Sequence, residues 1–443
     1  MGCLLGCRYY ITMFKKIKIK HATIADKIYV KESDIEDLDS FLQAYTYNVG
    51  DEILFTYEQD EDKKIYAVPS NSYKKLDFEE YEDLRNFDDA DSKLSFSGQL
   101  RPEQQVMVDE FFSIGDRVRS GLFQAPCGWG KTYVACNLIA RAKKKTLVLL
   151  HTKLLFRQWI EELEKQIPEV SIGRIGDGLY SVEDITVGIY KSVLNNMDQI
   201  HDEFSLLIVD EAHLCPADMF SQAVNSVNCR AKIAITATPK RKDGKHVYLD
   251  DYFTSFKSFA KDPRILLDPK IEIISTDIPF IVIEPKRDWS RQINKLSKNT
   301  NYIELIAKTA IEKIANGRCP LILADRLDML KELSKLIPNS ALMIGSTKEE
   351  ERKETLENVG NKYKCVLSTK LFDEGISCHR LDTLFLTCPS NNPIKLEQRI
   401  GRIIREHPDK QRPLVVDFWL RGPIVGKQQK IRYDWYGQRS YEL

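Results

Sequence analysis

The 443-residue chain has no C-x-x-C pair, no short internal repeat and no low-complexity tract. It also lacks any apolar run near the ~18–20 residues that a bilayer-spanning helix needs. The missing C-x-x-C spacing argues against a zinc site. The ten cysteines are scattered instead, at positions 3, 7, 127, 136, 215, 229, 319, 365, 378 and 388. Several fall in apolar runs, where cysteine behaves as a small hydrophobe. Free thiols in a reducing, cytoplasmic compartment (the host cytoplasm for a viral protein) are the expectation, with no membrane partner. Net charge is missing too: Lys+Arg and Asp+Glu both number 65. Bulk charge therefore names no partner, and only local placement can.

Charge is unevenly placed. Residues 15–20, "KKIKIK", hold four lysines, and residues 77–91 hold eight acids against one arginine. The tail 421–443 holds five Lys/Arg against two acids and is aromatic. The acidic run reads as a linker. At the start, "MGCLLGC" offers Gly2 for myristoylation, but Gly6 stands where Ser or Thr is wanted. The apolar piece is too short for a signal-peptide core. Met13 opens "MFKKIKIK", so residues 1–12 read as a disordered extension.

The length allows two to three domains, each with its own core. Residues 13–97 mix short strands with one helix-like piece, an α+β accessory module ending in the acidic linker. From 98 onward strands and helices alternate, the pattern of a parallel sheet covered on both faces. Strands are expected at 122–125, 146–150, 185–190, 205–210 and 232–238, closing a first α/β domain over 98–267. A second set follows near 271 and at 319–324, 341–344, 364–369, 383–387 and 413–418, giving a domain over 268–420 and a basic-aromatic tail over 421–443. Ser346 with Glu349 reads as a capping box for one of its helices.

"QAPCGWGKT" (124–132) follows the first of these strands. Gly128 and Gly130 let backbone N–H groups turn around phosphates, and the next helix adds its positive end. Lys131 can reach the β- and γ-phosphates of ATP, and the Thr132 hydroxyl can hold Mg²⁺. Ala125 stands where the general pattern has glycine, and Trp129 is bulky for such a loop. In "LLIVDEAH" (206–213) an apolar strand delivers Asp210 and Glu211 at its carboxyl end, where open α/β sheets bind ligands. Asp210 is placed for Mg²⁺ and Glu211 for the attacking water. Neither a kinase acceptor site nor guanine-reading residues are visible. In "AITATP" (234–239), Thr236 and Thr238 end another core strand. In "LEQRIGRIIRE" (396–406), Gln398, Gly401, Arg402 and Arg405 share one helix face, while Ile400, Ile403 and Ile404 can bury the helix. Arginines brought to a γ-phosphate stabilise its transition-state charge.

In this order and spacing, these four motifs resemble the DExH helicases of superfamily 2. Supporting matches are "LRPEQQ" (100–105), "HTKLLFRQW" (151–159), "VGIYKSV" (187–193) and "STKLFDEGIS" (368–377), so the resemblance covers roughly 98–420. It implies two tandem RecA-like domains and an ATP- and Mg²⁺-dependent motor. By that resemblance Gln104 reads the adenine, His213, Thr236 and Thr238 couple ATP to nucleic acid, and Thr152, Lys153, Ser192 and Thr369 touch the phosphodiester backbone. Gly375 lies near the nucleotide, and Gln398, Arg402 and Arg405 face ATP from the second domain. Ser377 departs from the pattern, standing where many relatives carry an acid that contacts the ribose. "QW" at 158–159, "TATPKRKDG" and "DEG" at 373–375 are similar to the XPB-like branch. The compact length and tail resemble phage UvsW-type DNA helicases of recombination, repair and replication, which branch-migrate Holliday-type junctions. The implied partner is single- and double-stranded, forked or junction DNA, bound by a monomer alongside viral recombination or replication proteins. An RNA helicase, and a duplex translocase without strand separation such as a transcript-release factor, are the competing readings.

Overall fold

The computed structural model describes residues 16–442 apart from 50, 92, 114–118, 127, 215–217, 238–243, 254–255, 261–267, 284, 370–377, 391, 405–406 and 408. The chain divides into two compact units. The first runs to Ala260 apart from the loop Pro126–Gly130, and the second runs from Lys261. No helix among the described residues is long and apolar enough to cross a membrane.

The first unit opens with the expected α+β module. Strand β1 (Ile17–Ile24) turns Ile17 and Ile19 inward and Lys18 and Lys20 outward, so this part of "KKIKIK" is both core and solvated face. β2 (Lys27–Lys31) follows, then α1 (Leu38–Ala44), whose first turn is closed by Asp37 accepting from Ser40 N–H at 3.0 Å. A separate hairpin pairs β3 (Thr46–Val49) with β4 (Glu52–Phe55). β5 (Glu58–Asp60), β6 (Ile65–Pro69) and β7 (Leu76–Asp83) complete a sheet in the order β5-β6-β2-β1-β7. The acidic run is therefore partly strand rather than linker. β7 lies parallel to β1 with Asp77 opposite Lys18 and Glu80 opposite His21. Opposite charges across a pair favour that register, and a charged edge strand discourages pairing with other chains.

The larger sheet of this unit is built in alternation. α2 (Pro102–Phe112) precedes β8 (Gly121–Gln124) and α3 (Lys131–Ala142). β9 (Thr146–Leu150), α4 (Lys153–Gln166), β10 (Ile172–Gly176), β11 (Leu179–Ser181) and β12 (Ile185–Ile189) follow. Two short helices, α5 (Tyr190–Asn195) and α6 (Met197–Ile200), lead to β13 (Leu206–Asp210) and α7 (Asp218–Asn225). β14 (Ala231–Thr236), α8 (Tyr248–Phe253) and β15 (Lys257–Phe259) close the unit. The order is β11-β10-β12-β9-β13-β14-β8-β15, parallel except for β11. β9, β12 and β13 are buried at every residue, as helices on both faces require.

The small module is fastened to this domain at several points, with one buried carboxylate at the centre of the largest group of contacts. Asp251 of α8 is fully buried and lies 2.7 Å from Lys75 Nζ. It also accepts from Tyr47 OH at 2.7 Å and Thr56 Oγ1 at 2.9 Å. Asn71 Nδ2 adds a bond to the Tyr252 carbonyl at 2.7 Å. The hairpin rests on Gly244, where a Cβ would fall 2.2 Å from Val49 Cγ1.

The second unit is a six-stranded, all-parallel sheet in the order β16-β21-β20-β17-β19-β18. Its elements are β16 (Lys270–Pro279), α9 (Pro285–Leu296), α10 (Thr300–Ala315), β17 (Pro320–Leu323), α11 (Leu327–Leu336) and β18 (Ser340–Met343). Then come α12 (Glu349–Glu357), β19 (Cys365–Ser368), β20 (Thr383–Leu386), α13 (Pro393–Ile400), β21 (Leu414–Arg421) and α14 (Pro423–Gln438). Its core joins Phe280, Tyr302, Ile306, Ile322, Leu367, Phe385 and Phe418. The capping expectation at Ser346 is not met. α12 starts later, with Lys348 as its N-cap, and Thr347 Oγ1 turns back to accept from Ile344 N–H at 2.9 Å. Most of the basic-aromatic tail is α14, folded onto β21. Arg432 grips buried Asp417 with Nε at 2.9 Å and Nη2 at 2.8 Å, and Tyr436 OH donates to it at 3.0 Å. Both units are thus RecA-like, doubly wound α/β domains.

Candidate functional site

The site gathers at the carboxyl end of the first unit's sheet, where β13, β14 and β8 lie side by side. Register places Asp210 opposite Ile235 and Thr236 opposite Gln124. The Ala125 N–H bonds the Thr236 carbonyl at 3.1 Å, so the candidate phosphate loop departs beside the end of β14. Gly128 and Gly130 have φ of 84° and 87°, a region that glycine enters without steric cost. Ala125 is buried and lies outside that region. A methyl group is therefore tolerated where the general pattern has glycine. Lys131 then opens α3, with Thr132 half-buried beside it.

Asp210 and Glu211 emerge from β13 into this corner. Asp210 is 5% exposed and both of its oxygens are engaged. Oδ1 accepts from the Glu211 N–H at 2.8 Å, and Oδ2 accepts from the Trp159 indole N–H at 2.9 Å. Burial and the neighbouring Glu211 charge push its carboxyl upward, against the pull of Lys131 and the indole. Burial acts the same way on Glu211. There, hydrogen bonding from His213 and the charges of Lys131, His213 and His151 outweigh it and hold the group below the usual carboxylate range. Glu211 stays ionised, fit to accept hydrogen bonds from a water. Its φ of 50° is unusual for a residue with a Cβ, and such strain persists only where the surroundings over-determine it. His213 Nδ1 lies 3.3 Å from Glu211 Oε2 and 3.2 Å from Thr236 Oγ1, so one imidazole bridges the acidic pair and β14. His151, just past β9, has no hydrogen-bond partner for its Nδ1 among the described residues, and burial pushes its pKa down.

Gln104, Thr152 and Lys153 of this unit are already engaged. Gln104 is buried, and its Oε1 accepts from the Arg101 N–H at 3.0 Å at the start of α2. Thr152 caps α4 by accepting from the Leu155 N–H at 3.2 Å. Lys153 Nζ and Arg157 Nη2 each lie 2.6 Å from Asp177, one on each carboxylate oxygen. Ser192 sits half-buried on α5. Sequence reasoning assigned no role to Trp159, His151, Arg157 or Asp177. The quoted stretch 151–159 contained three of them, but nothing in its spacing marked what they touch.

In the second unit Thr369 follows β19, half-buried. The expected helical stripe over 396–406 is shorter than foreseen. α13 ends at Ile400, and Arg402 and Ile403 make i→i−3 bonds to the Arg399 and Ile400 carbonyls. Gly401, a poor helix former, sits at that break. Gln398 is on the helix, half-buried, while Arg402 lies beyond it at 8% exposure rather than on a free polar stripe. Ile400, Ile403 and Ile404 are buried as expected. Thr238, Gly375, Ser377 and Arg405 lie outside the described residues, as do residues 1–12.

Two family models match. That for the type III restriction enzyme res subunit covers residues 97–241, and that for the helicase conserved C-terminal domain covers 298–407. The chain is a superfamily 2 helicase. It is accordingly an ATP-hydrolysing enzyme. Among its relatives, a probable helicase of Escherichia phage T5 is 28% identical over 71% of this chain and 71% of its own length. A protein of Acanthamoeba polyphaga mimivirus, whose name describes an ATP-dependent RNA helicase, is 22% identical over 95% of this chain and 85% of its own. The DNA 3'-5' translocase XPB2 of Sulfurisphaera tokodaii is 25% identical over 67% of this chain and 77% of its own length. The helicase also resembles, in fold, the structure of Saccharomyces cerevisiae Dbp5 bound to RNA and ADP BeF3, with a TM-score of 0.52, 13% identity and coverage of 75% of this chain and 91% of that one.

The chemistry of the corner suits Mg²⁺. Among the described residues no group of three His, Cys, Asp or Glu side chains could hold a metal by itself. Mg²⁺ keeps waters and binds through one or two carboxylates plus substrate phosphates, and the corner offers the carboxylate of Asp210 at the end of β13 and the Thr132 hydroxyl at the start of α3.

Proposed function

We propose that this helicase works on DNA, as an ATP-driven helicase and translocase that unwinds and branch-migrates forked and Holliday-type junctions in viral replication, recombination or repair. The observation that carries the reading is the Lys153–Arg157 pair at the start of α4, closed on both oxygens of one carboxylate. An ammonium and a guanidinium set to hold an anion form a backbone grip indifferent to base sequence. The name of the Sulfurisphaera tokodaii relative, a DNA 3'-5' translocase, favours DNA over RNA.

In this reading Lys131 and the loop glycines hold the ATP phosphates, and Gln104 leaves its helix-capping bond to read the adenine. Thr132 and Asp210 would hold Mg²⁺, which would supply charge neutralisation at the phosphate oxygens. Glu211 orients the attacking water, and Gln398, Arg402 and Arg405 stabilise the charge that develops on the γ-phosphate, with Gly375 beside the nucleotide. His213 carries the state of Glu211 to Thr236 and Thr238. Thr152, Lys153 and Ser192, with Thr369 of the second unit, touch the nucleic-acid backbone.

The test is ATPase rate and strand displacement against linear, forked and four-way DNA and matched RNA. Stimulation by DNA, with four-way junctions resolved by branch migration, is expected. Stimulation by RNA alone would replace the reading with an RNA helicase, the function in the mimivirus relative's name. Translocation on duplex DNA with no strand separation would remove the junction activity.

A further inference from the structure

Trp159 lies on the inward stripe of α4 with Phe156, Ile160 and Leu163 and is 1% exposed. Packing accounts for a large apolar side chain there, but not for the direction of its one polar atom. An indole has a single donor and no acceptor, and this one donates to Asp210 Oδ2 at 2.9 Å. The other oxygen of Asp210 accepts the Glu211 N–H at 2.8 Å. The two donors come from different elements, α4 and the turn after β13, so the carboxylate is fixed in both position and rotation. Each oxygen keeps a second lone pair for another contact.

We propose that Trp159 is a positioning residue for the Mg²⁺–ATP complex, its indole N–H holding Asp210 in the orientation that receives the metal. This rests on the reading of Asp210 as a Mg²⁺ residue. Partners that orient a metal-binding side chain typically cost 10–100-fold in metal affinity or activity when removed.

The experiment replaces Trp159 in the full chain in two ways. Trp159→Phe removes the N–H and part of the ring. Site-specific incorporation of 3-benzothienylalanine keeps the shape of indole and puts sulfur in place of the N–H. Affinity for a fluorescent ATP analogue is measured with and without Mg²⁺, alongside thermal melting. The Mg²⁺-dependent gain in affinity is expected to fall about 10-fold in both variants. Metal-free affinity and the melting temperature of the isostere should stay at wild-type values. An unchanged gain in the isostere overturns the inference, as does an equal loss with and without Mg²⁺, which marks a purely structural role. Asp210→Asn is measured in parallel. If it keeps the full gain, the reading of Asp210 fails whatever Trp159 does. If it abolishes the gain while the isostere leaves it intact, the inference about Trp159 alone fails.

Discussion

Replacing Asp251 by alanine should loosen the N-terminal module from the first helicase domain. The carboxylate is fully buried, while the Lys75 side chain paired with it at 2.7 Å is 15% exposed. Removing one partner of a buried pair costs about 3–5 kcal/mol, because the remaining charge is left uncompensated. The slight exposure of Lys75 lets water reach it, which favours the lower end, about 3 kcal/mol. At 1.4 kcal/mol per tenfold, that is roughly a 10²-fold larger population of the undocked module. Hydrogen exchange reads this directly. Amides of the hairpin over 46–56 and of the segment 70–76 should exchange roughly 10²-fold faster if docking limits their protection, while those of β9, β12 and β13 hold. The double variant Lys75→Met with Asp251→Leu removes both charges and should recover much of the protection. A change below threefold in the alanine variant would refute the argument. So would a double variant as weak as the single one, because the unpaired charge would then not be the dominant cost.

Lys131→Ala should reduce ATP turnover to background while circular dichroism and melting stay near wild type. Turnover above a tenth of wild type would remove Lys131 from the phosphate site. Glu211→Gln should retain ATP binding but slow hydrolysis at least ~10²-fold, on the order of the loss of a positioned acid–base group, as read by single-turnover kinetics. Wild-type turnover would end its role towards the attacking water.

The parallel strands were legible because strands covered on both faces must be apolar almost throughout. "TLVLL" was placed at the same residues, 146–150, that the structure shows. β10, β11 and β15 went unread. They are three to five residues long, and β10 carries glycines at 173 and 176. Their extended shape comes from pairing with neighbours rather than from local pattern. The acidic run misled for a related reason: its charges face lysine and histidine across β1, a match that exists only once the two segments align. The stripe over 396–406 assumed helix through Gly401, and the backbone turns there instead. At the candidate site, the closeness of Lys131 to Asp210 and Glu211 was legible because the motifs that carry them end nearby strands of one sheet. The indole on Asp210 spans 51 residues and the carboxylate between Lys153 and Arg157 spans about 20. No local spacing encodes either.

The fastening of the small module through Asp251 also sets an order of events during synthesis. Tyr47 reaches its acceptor across 204 residues of chain. At 5–20 residues per second, a ribosome needs roughly 10–40 s to deliver that acceptor after the hairpin has emerged. The small module must therefore wait, with the hydroxyls of Tyr47 and Thr56 still wet, until nearly the whole first motor domain has left the tunnel. Only then does the module acquire its seat, so its maturation reports that α8, the helix that follows β14, has arrived and folded.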